Sequence, residues 1–203
     1  MIHALIISPR DCWKHDFIRR ITNALDCPVF GYETQREPEM TTSDLGDPIY
    51  IHPFGGEHHF SEDNLVGYCI NHKPHTVPGV FNHYAPQLLL PVPSGSILAF
   101  DEVGFMEAQE EDFCQAIRTR LDGDIPVIAT VKDKNIPFLM ELRNHPKCHC
   151  FFLEKDNQDT LFQEVLTYIN GSLSEPRAKN EKKYHKWMCC SNDLKIVTAT
   201  FLF

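Results

Sequence analysis

Residues 96–102 read Ser96-Ile97-Leu98-Ala99-Phe100-Asp101-Glu102, an apolar run that ends in two consecutive carboxylates. The run is too short for most helices and is typical of a strand buried on both faces of a parallel sheet. The two acidic residues follow it directly, at the point where the strand is expected to end. The stretch therefore predicts a central strand with two functional carboxylates at its carboxyl end.

Strand-like and helix-like segments alternate on both sides of this stretch. Upstream, residues 4–7 predict a buried strand, and residues 14–25 predict a helix because their apolar residues recur at spacings of one, three and four. Downstream, strands are predicted over residues 125–131 and 150–153, and helices over residues 109–121, from residue 137 and over residues 159–169. The alternation predicts an α/β fold with a mostly parallel sheet flanked by helices.

The remaining segments set the expected domain limits. Residues 1–170 are predicted to form one domain, in which residues 28–75 form a small antiparallel β insertion because short strand-like pieces alternate there with Gly, Pro, Asp and Ser. Residues 73–93 predict a short helix or an irregular connection, since prolines punctuate them. Residues 171–203 predict a polar linker and a strand-like extension, a candidate for pairing with a sheet edge of this chain, of a second copy or of a partner protein.

Composition limits the classes of partner. Acidic residues outnumber basic ones by 28 to 19, so the net charge of −9 disfavours nucleic acid as a partner. No apolar run approaches the roughly 20 residues that span a bilayer, and no export signal is evident, so a cytoplasmic protein without membrane contact is expected. The 8 cysteines are accordingly expected to be reduced thiols.

The acidic pair at the strand end has two interpretations. A nucleoside triphosphate site needs backbone N–H groups at a helix start, a lysine, and a magnesium ion held by carboxylate or hydroxyl oxygen. In such a site Asp101 would hold magnesium through a bound water, and Glu102 would orient or deprotonate the attacking water. The alternative is that the pair only caps the helix that follows the strand.

The acidic pair continues as Asp101-Glu102-Val103-Gly104-Phe105-Met106-Glu107. This stretch resembles the Asp-Glu-(Ile/Leu/Val)-Gly-x-Met-Glu segment of the THEP1-like nucleoside-triphosphatase family. Residues 29–34, 126–131 and 157–161 resemble further segments of that family in the same order. The resemblance covers residues 1–170. It implies a RecA-like P-loop core that, with magnesium, hydrolyses ATP, GTP and other nucleoside triphosphates slowly and with little base selectivity.

The phosphate loop departs from the family pattern G-x-x-x-x-G-K-[ST]. The corresponding residues, all predicted to contact phosphate, are Ser8, Pro9, Arg10, Asp11, Cys12, Trp13, Lys14 and His15. Only the lysine of the pattern, Lys14, is kept, and His15 replaces the hydroxyl that would touch magnesium. A direct contact between Asp11 and a phosphate would cost about 4 kcal/mol, or a factor of about a thousand in affinity.

Two functional hypotheses follow. In the first, the protein is a nucleoside triphosphatase in which Lys14 neutralises the β- and γ-phosphates, Asp101 anchors magnesium and Glu102 handles water. In the second, the altered loop marks a pseudoenzyme that keeps the fold and serves as a scaffold or sensor for a partner protein. Under the first hypothesis the ligand is a nucleoside triphosphate or another phosphate compound.

Other polar residues suggest weaker sites. Glu107 is either a second acidic site residue or a helix-dipole partner, and Arg118 and Arg143 could reach a γ-phosphate or lie on solvated faces. Six of the 11 histidines suggest a metal site, although hydrogen-bonded or surface histidines are the favoured interpretation; they are His52, His58, His59, His72, His75 and His83. The segment 148–150 with Cys189-Cys190 lacks the usual spacing of zinc ligands.

Overall fold

The computed structural model describes residues 2–8, 13–41, 46–71 and 73–174. The strands in these ranges are β1 (His3–Ser8), β2 (Val29–Arg36), β3 (Asp47–Pro53), β4 (Leu65–Ile70), β5 (Lys73–Thr76), β6 (Ile97–Val103), β7 (Val127–Lys132) and β8 (Cys148–Phe152). The α-helices are α1 (Lys14–Asn23), α2 (Val80–Leu88), α3 (Glu111–Asp122), α4 (Pro137–Arg143) and α5 (Gln158–Ser174). Short 3-10 helices lie at Pro38–Met40, Glu62–Asn64 and Glu107–Gln109.

All eight strands belong to one sheet in the order β5-β4-β3-β2-β6-β7-β1-β8. The five strands from β2 to β8 in this order pair in parallel, and β2 to β5 pair antiparallel. The prediction of a mostly parallel sheet flanked by helices, with a small antiparallel portion, is confirmed.

The apolar runs form strands because both faces of the parallel sheet are covered. In β1, Leu5 and Ile7 join one core with α2, α3 and α4, whereas Ala4 and Ile6 join a second core with α1 and α5. Each residue of β1 is therefore buried, and its four central residues, 4–7, are all apolar instead of alternating with polar ones.

The antiparallel part is smaller than the sequence predicted. β2 lies within residues 28–75 but pairs in parallel with β6, so it belongs to the parallel core. On its other side, β2 pairs with β3 in the antiparallel direction. The sequence could not show this, because β2 is only partly buried and a strand's own pattern does not reveal the direction of its neighbours.

The remaining local predictions agree closely with the structure. The proline-punctuated segment contains β5 and the short helix α2, and the predicted helix over residues 109–121 corresponds to α3, which ends at Asp122 with Gly123 as its C-cap. None of the helices in the described ranges is both long enough and apolar enough to cross a membrane. The predicted strand-like extension lies outside the described residues.

Parallel pairing brings the carboxyl ends of four strands, β2, β6, β7 and β1, to one edge of the sheet. Asp101 of β6 lies opposite Thr130 of β7 and, on its other side, opposite Glu33 of β2. Ser8, the last residue of β1, lies opposite Lys132 of β7. The start of α1 reaches the same edge, where Lys14 forms an ion pair with Glu102.

The contact between β2 and β6 depends on Gly31. Its φ is +124°, and a Cβ atom there would lie 2.0 Å from the carbonyl oxygen of Ala99 on β6. Gly55 also has a positive φ, of +65°, but a Cβ atom there would meet open space.

We expect Gly31→Ala to lower the free energy of unfolding by at least about 3 kcal/mol, because it combines strain with a backbone clash. Gly55→Ala should cost only about 1 kcal/mol, the strain of a positive φ alone. Urea denaturation of both variants measures the difference. If the two variants lose the same free energy of unfolding, the predicted clash of the new Cβ atom with β6 does not destabilise the protein.

Candidate functional site at the carboxyl edge of the sheet

Lys14 is the first residue of α1 and is almost fully buried, with 1% of its side chain exposed. The helix begins there because the carbonyl of Trp13 accepts the Phe17 N–H at 2.8 Å. A buried ammonium group needs a partner of opposite charge. Lys14 Nζ forms an ion pair with Glu102 Oε2 at the end of β6.

Glu102 holds a second lysine on its other oxygen. Lys132 Nζ lies 2.6 Å from Glu102 Oε1, and the Glu102 main-chain carbonyl accepts a hydrogen bond from the Tyr32 hydroxyl at 2.9 Å. The carboxylate thus lies between two ammonium groups, one from α1 and one from β7. This arrangement fixes the side chain at the sheet edge.

Asp101 is fully buried and uses both of its carboxylate oxygens. His15 Nδ1 lies 2.6 Å from Oδ2, and the Thr130 hydroxyl donates to Oδ1 at 2.8 Å. Burial opposes the charged form of His15, but the hydrogen bond and charge of Asp101 and the charge of Glu102 outweigh it and raise the pKa of His15.

Glu107 lies behind the acidic pair and is buried. Its Oε2 accepts the Gly104 N–H at 2.7 Å, which closes the turn that follows β6. Burial, and then the negative charge of Glu102, raise the pKa of Glu107 to about 7. This carboxyl group therefore titrates near neutral pH.

Four of the eight residues predicted to contact phosphate are described. The carbonyl of Ser8 accepts the Asp133 N–H at 3.1 Å, and Trp13, Lys14 and His15 lie at the start of α1. The structure thus brings Lys14 and His15 together with the acidic pair. The other four residues lie outside the described ranges: Pro9, Arg10, Asp11 and Cys12.

The two candidate arginines have protein partners. Arg118 Nε lies 2.8 Å from Glu141 on the outer side of α3 and α4. Arg143 Nη1 lies 2.9 Å from Asp133, and its Nη2 donates to the Lys132 carbonyl at 2.5 Å. Arg143 therefore supports the end of β7 beside the site, whereas Arg118 joins two helices.

Sequence reasoning missed Tyr32, Thr130 and Lys132. A signal for the last two was present, because the predicted strand over residues 125–131 ends at the same sheet edge as the acidic pair. Tyr32 gave no comparable signal, since its contact depends on β2 lying parallel to β6.

Glu33 forms a second buried cluster beside Asp101. Its Oε2 accepts a hydrogen bond from Arg19 of α1 at 2.6 Å, and His58 Nε2 lies 2.9 Å from Oε1. The His58 ring stacks on buried His52 with centroids 4.1 Å apart. The cluster joins α1, β2 and the loop after β3, and so holds the helix start over the strand ends.

The described residues contain no group of three or more His, Cys, Asp or Glu side chains placed to hold a metal ion. His52 illustrates the arrangement: its ring stacks on His58 and meets His59 edge-on, so the three rings do not converge on one point. Burial, and then the charges of His58 and His59, lower the pKa of His52 to about 4. His72 and Cys189-Cys190 lie outside the described ranges.

The residues at the strand ends do not fit a magnesium ion as they are arranged. Magnesium prefers oxygen ligands in octahedral geometry, and the P-loop type of site uses a hydroxyl and an aspartate. Here His15 stands at the hydroxyl position and contacts Asp101 itself, while Thr130 occupies the other oxygen of Asp101. The assignment of Asp101 as a metal ligand stays a prediction that this geometry does not favour.

Sequence comparisons point to one group of enzymes. A family model described as NTPase matches residues 9–166. Nucleoside-triphosphatase THEP1 of Thermotoga maritima is 28% identical over 79 residues, which is 39% of this chain and 45% of that protein. The cancer-related nucleoside-triphosphatase homolog of Bos taurus is 33% identical over 102 residues, covering 42% of this chain and 52% of that protein. The chain thus spans about half the length of these curated relatives.

Two solved structures share the fold. The crystal structure of THEP1 from the hyperthermophile Aquifex aeolicus matches with a TM-score of 0.59 and 18% identity, over 82% of this chain and 98% of that one. The solution structure of a human cancer-related nucleoside triphosphatase matches with a TM-score of 0.62 and 19% identity, over 85% and 99% of the two chains. At these identities the likeness concerns the fold alone.

The pKa of Glu107 predicts a pH dependence of stability. Because the folded pKa of about 7 exceeds the ordinary value of 4.5, Glu107 destabilises the fold progressively as pH rises between these values. We expect the free energy of unfolding of the native protein, relative to Glu107→Gln, to fall by roughly 2 kcal/mol from pH 5 to pH 8. Urea denaturation across this range tests it, with Glu62→Gln as an exposed control. If the difference in unfolding free energy between the native protein and Glu107→Gln does not change with pH, the pKa of about 7 for Glu107 is wrong.

Proposed function

Because this chain belongs to the THEP1-like P-loop NTPase family, we propose that it binds the phosphate groups of a nucleoside triphosphate such as ATP or GTP at the start of α1. The observation that carries the proposal is the convergence of Lys14 and Lys132 on Glu102 at the carboxyl edge of the sheet. Helix starts favour anions through their free N–H groups and the helix dipole.

Phosphate binding would exchange one ion pair for another. Lys14 neutralises Glu102 in the unliganded protein, and a phosphate at the start of α1 would compete with Glu102 for this lysine. Lys132 would remain on the other oxygen of Glu102 and keep that carboxylate in place. The exchange therefore leaves no buried charge without a partner.

The same exchange would expose a catalytic group. Once Lys14 turns to the phosphates, Glu102 Oε2 becomes available to orient a water molecule next to the terminal phosphate. Because Lys132 still withdraws charge from the carboxylate, Glu102 would be a weak base. The proposed hydrolysis of nucleoside triphosphate to diphosphate and phosphate is accordingly slow.

A second candidate function is nucleotide binding without turnover, in which the protein acts as a sensor or scaffold. The observation that favours it is the engagement of Glu102 by two lysines at once. Both candidates share the binding step and differ in the fate of the terminal phosphate.

We expect Lys14→Met to weaken binding of ATP and GTP about 10- to 100-fold. A hydrogen bond to a charged group contributes about 1.5–3 kcal/mol, which corresponds to this range. Isothermal titration calorimetry measures the affinity, and Lys73→Met, which removes an exposed lysine from the edge strand β5, should bind as the native protein does. Equal affinity of Lys14→Met and the native protein would exclude the proposed site.

Phosphate release by the native protein separates the two candidates, and Glu102→Gln tests the proposed base. If the protein hydrolyses nucleotide, the variant should release phosphate at least about 100-fold more slowly while it still binds ATP, because an amide cannot take a proton from the attacking water. Single-turnover release of phosphate from labelled ATP measures the rate, with Glu62→Gln as a matched exposed control. Equal release by the variant and the native protein would show that Glu102 is not the base.

A further inference from the structure

We infer that the nucleotide binds this protein without a divalent cation, because the His15 imidazole occupies the position on Asp101 that magnesium would take. The inference rests on the proposed function and concerns the cofactor of the same site. It follows from the geometry of three residues: His15, Asp101 and Thr130.

Asp101 has no oxygen open toward the start of α1. His15 Nδ1 lies 2.6 Å from one carboxylate oxygen, and the Thr130 hydroxyl lies 2.8 Å from the other. The carboxylate is fully buried between these two donors. A magnesium-bound water would have to displace one of them in order to reach it.

The residue that follows Lys14 at the start of α1 supplies no hydroxyl to a metal. In P-loop enzymes the residue after the lysine supplies a hydroxyl to the metal, whereas here that residue is His15. Imidazole is a poor ligand for magnesium, which prefers oxygen. The position that normally recruits the ion is therefore taken by a side chain that contacts Asp101 directly.

The site supplies cationic groups in place of the metal. Lys14 and Lys132 lie on the two oxygens of Glu102, and His15 Nε2 is 3.9 Å from Glu102 Oε2. The His15 side chain is 41% exposed, so a ligand can reach its outer nitrogen. Lys14 and the protonated imidazole of His15 can together contact a triphosphate that carries no bound metal, while Lys132 stays on Glu102.

Calorimetric titration of the full chain with ATP tests the inference in two buffers, one with excess EDTA and one with excess magnesium. We expect the two dissociation constants to agree within about threefold. Binding at least about tenfold tighter with magnesium would overturn the inference and leave the proposed function standing. The absence of binding in both buffers would overturn both.

Restoring the hydroxyl provides the matched variants His15→Ser and His15→Thr. Each removes the imidazole from Asp101 and recreates the lysine-hydroxyl pair of the family pattern. We expect both to bind ATP at least about tenfold more tightly with magnesium than with EDTA. Thermal unfolding identifies a variant that does not fold, in which case the other variant provides the result. Folded variants that bind ATP equally in both buffers would contradict the role of His15.

Discussion

The site depends on the ion pair between Lys14 and Glu102. An ammonium group that is almost fully buried costs several kcal/mol unless a carboxylate compensates it. Because Lys14 begins α1 and Glu102 ends the buried run of β6, this requirement holds the helix start over the strand end. The contacts of Asp101 with His15 and of Glu102 with Lys132 then follow from the same placement.

Those parts of the fold that depend on local pattern could be predicted from the sequence. The apolar runs of β1 and β6 indicated buried strands, and the meeting of Lys14 with the acidic pair followed from the order of strand, loop and helix. The parallel pairing of β2 could not be predicted, because strand order is set by contacts between distant segments. Lys132 differs, because it directly follows a predicted strand whose end was expected near the acidic pair; the signal was present, but its contact with Glu102 was not recognised.

The double pairing of Glu102 has a consequence for ligand binding. A phosphate that recruits Lys14 does not leave Glu102 unpaired, because Lys132 remains at 2.6 Å. In a site with a single lysine, the same movement would leave a partly buried carboxylate without a cation unless a metal arrived with the nucleotide. The second lysine therefore supplies the compensating charge that the proposed metal-free binding requires.

The fold and the chemistry of the site are maintained by different residues. The two cores are built from apolar side chains on both faces of the sheet, whereas the charged site residues Lys14, Asp101 and Glu102 belong to neither core. This explains how a chain only 18–19% identical to the solved structures keeps their architecture. A change at one position, such as His15 at the start of α1, alters the groups offered to a phosphate without disturbing either core. A single substitution at the site can therefore change which groups bind the phosphate, whereas a change of fold would require many substitutions in the two cores.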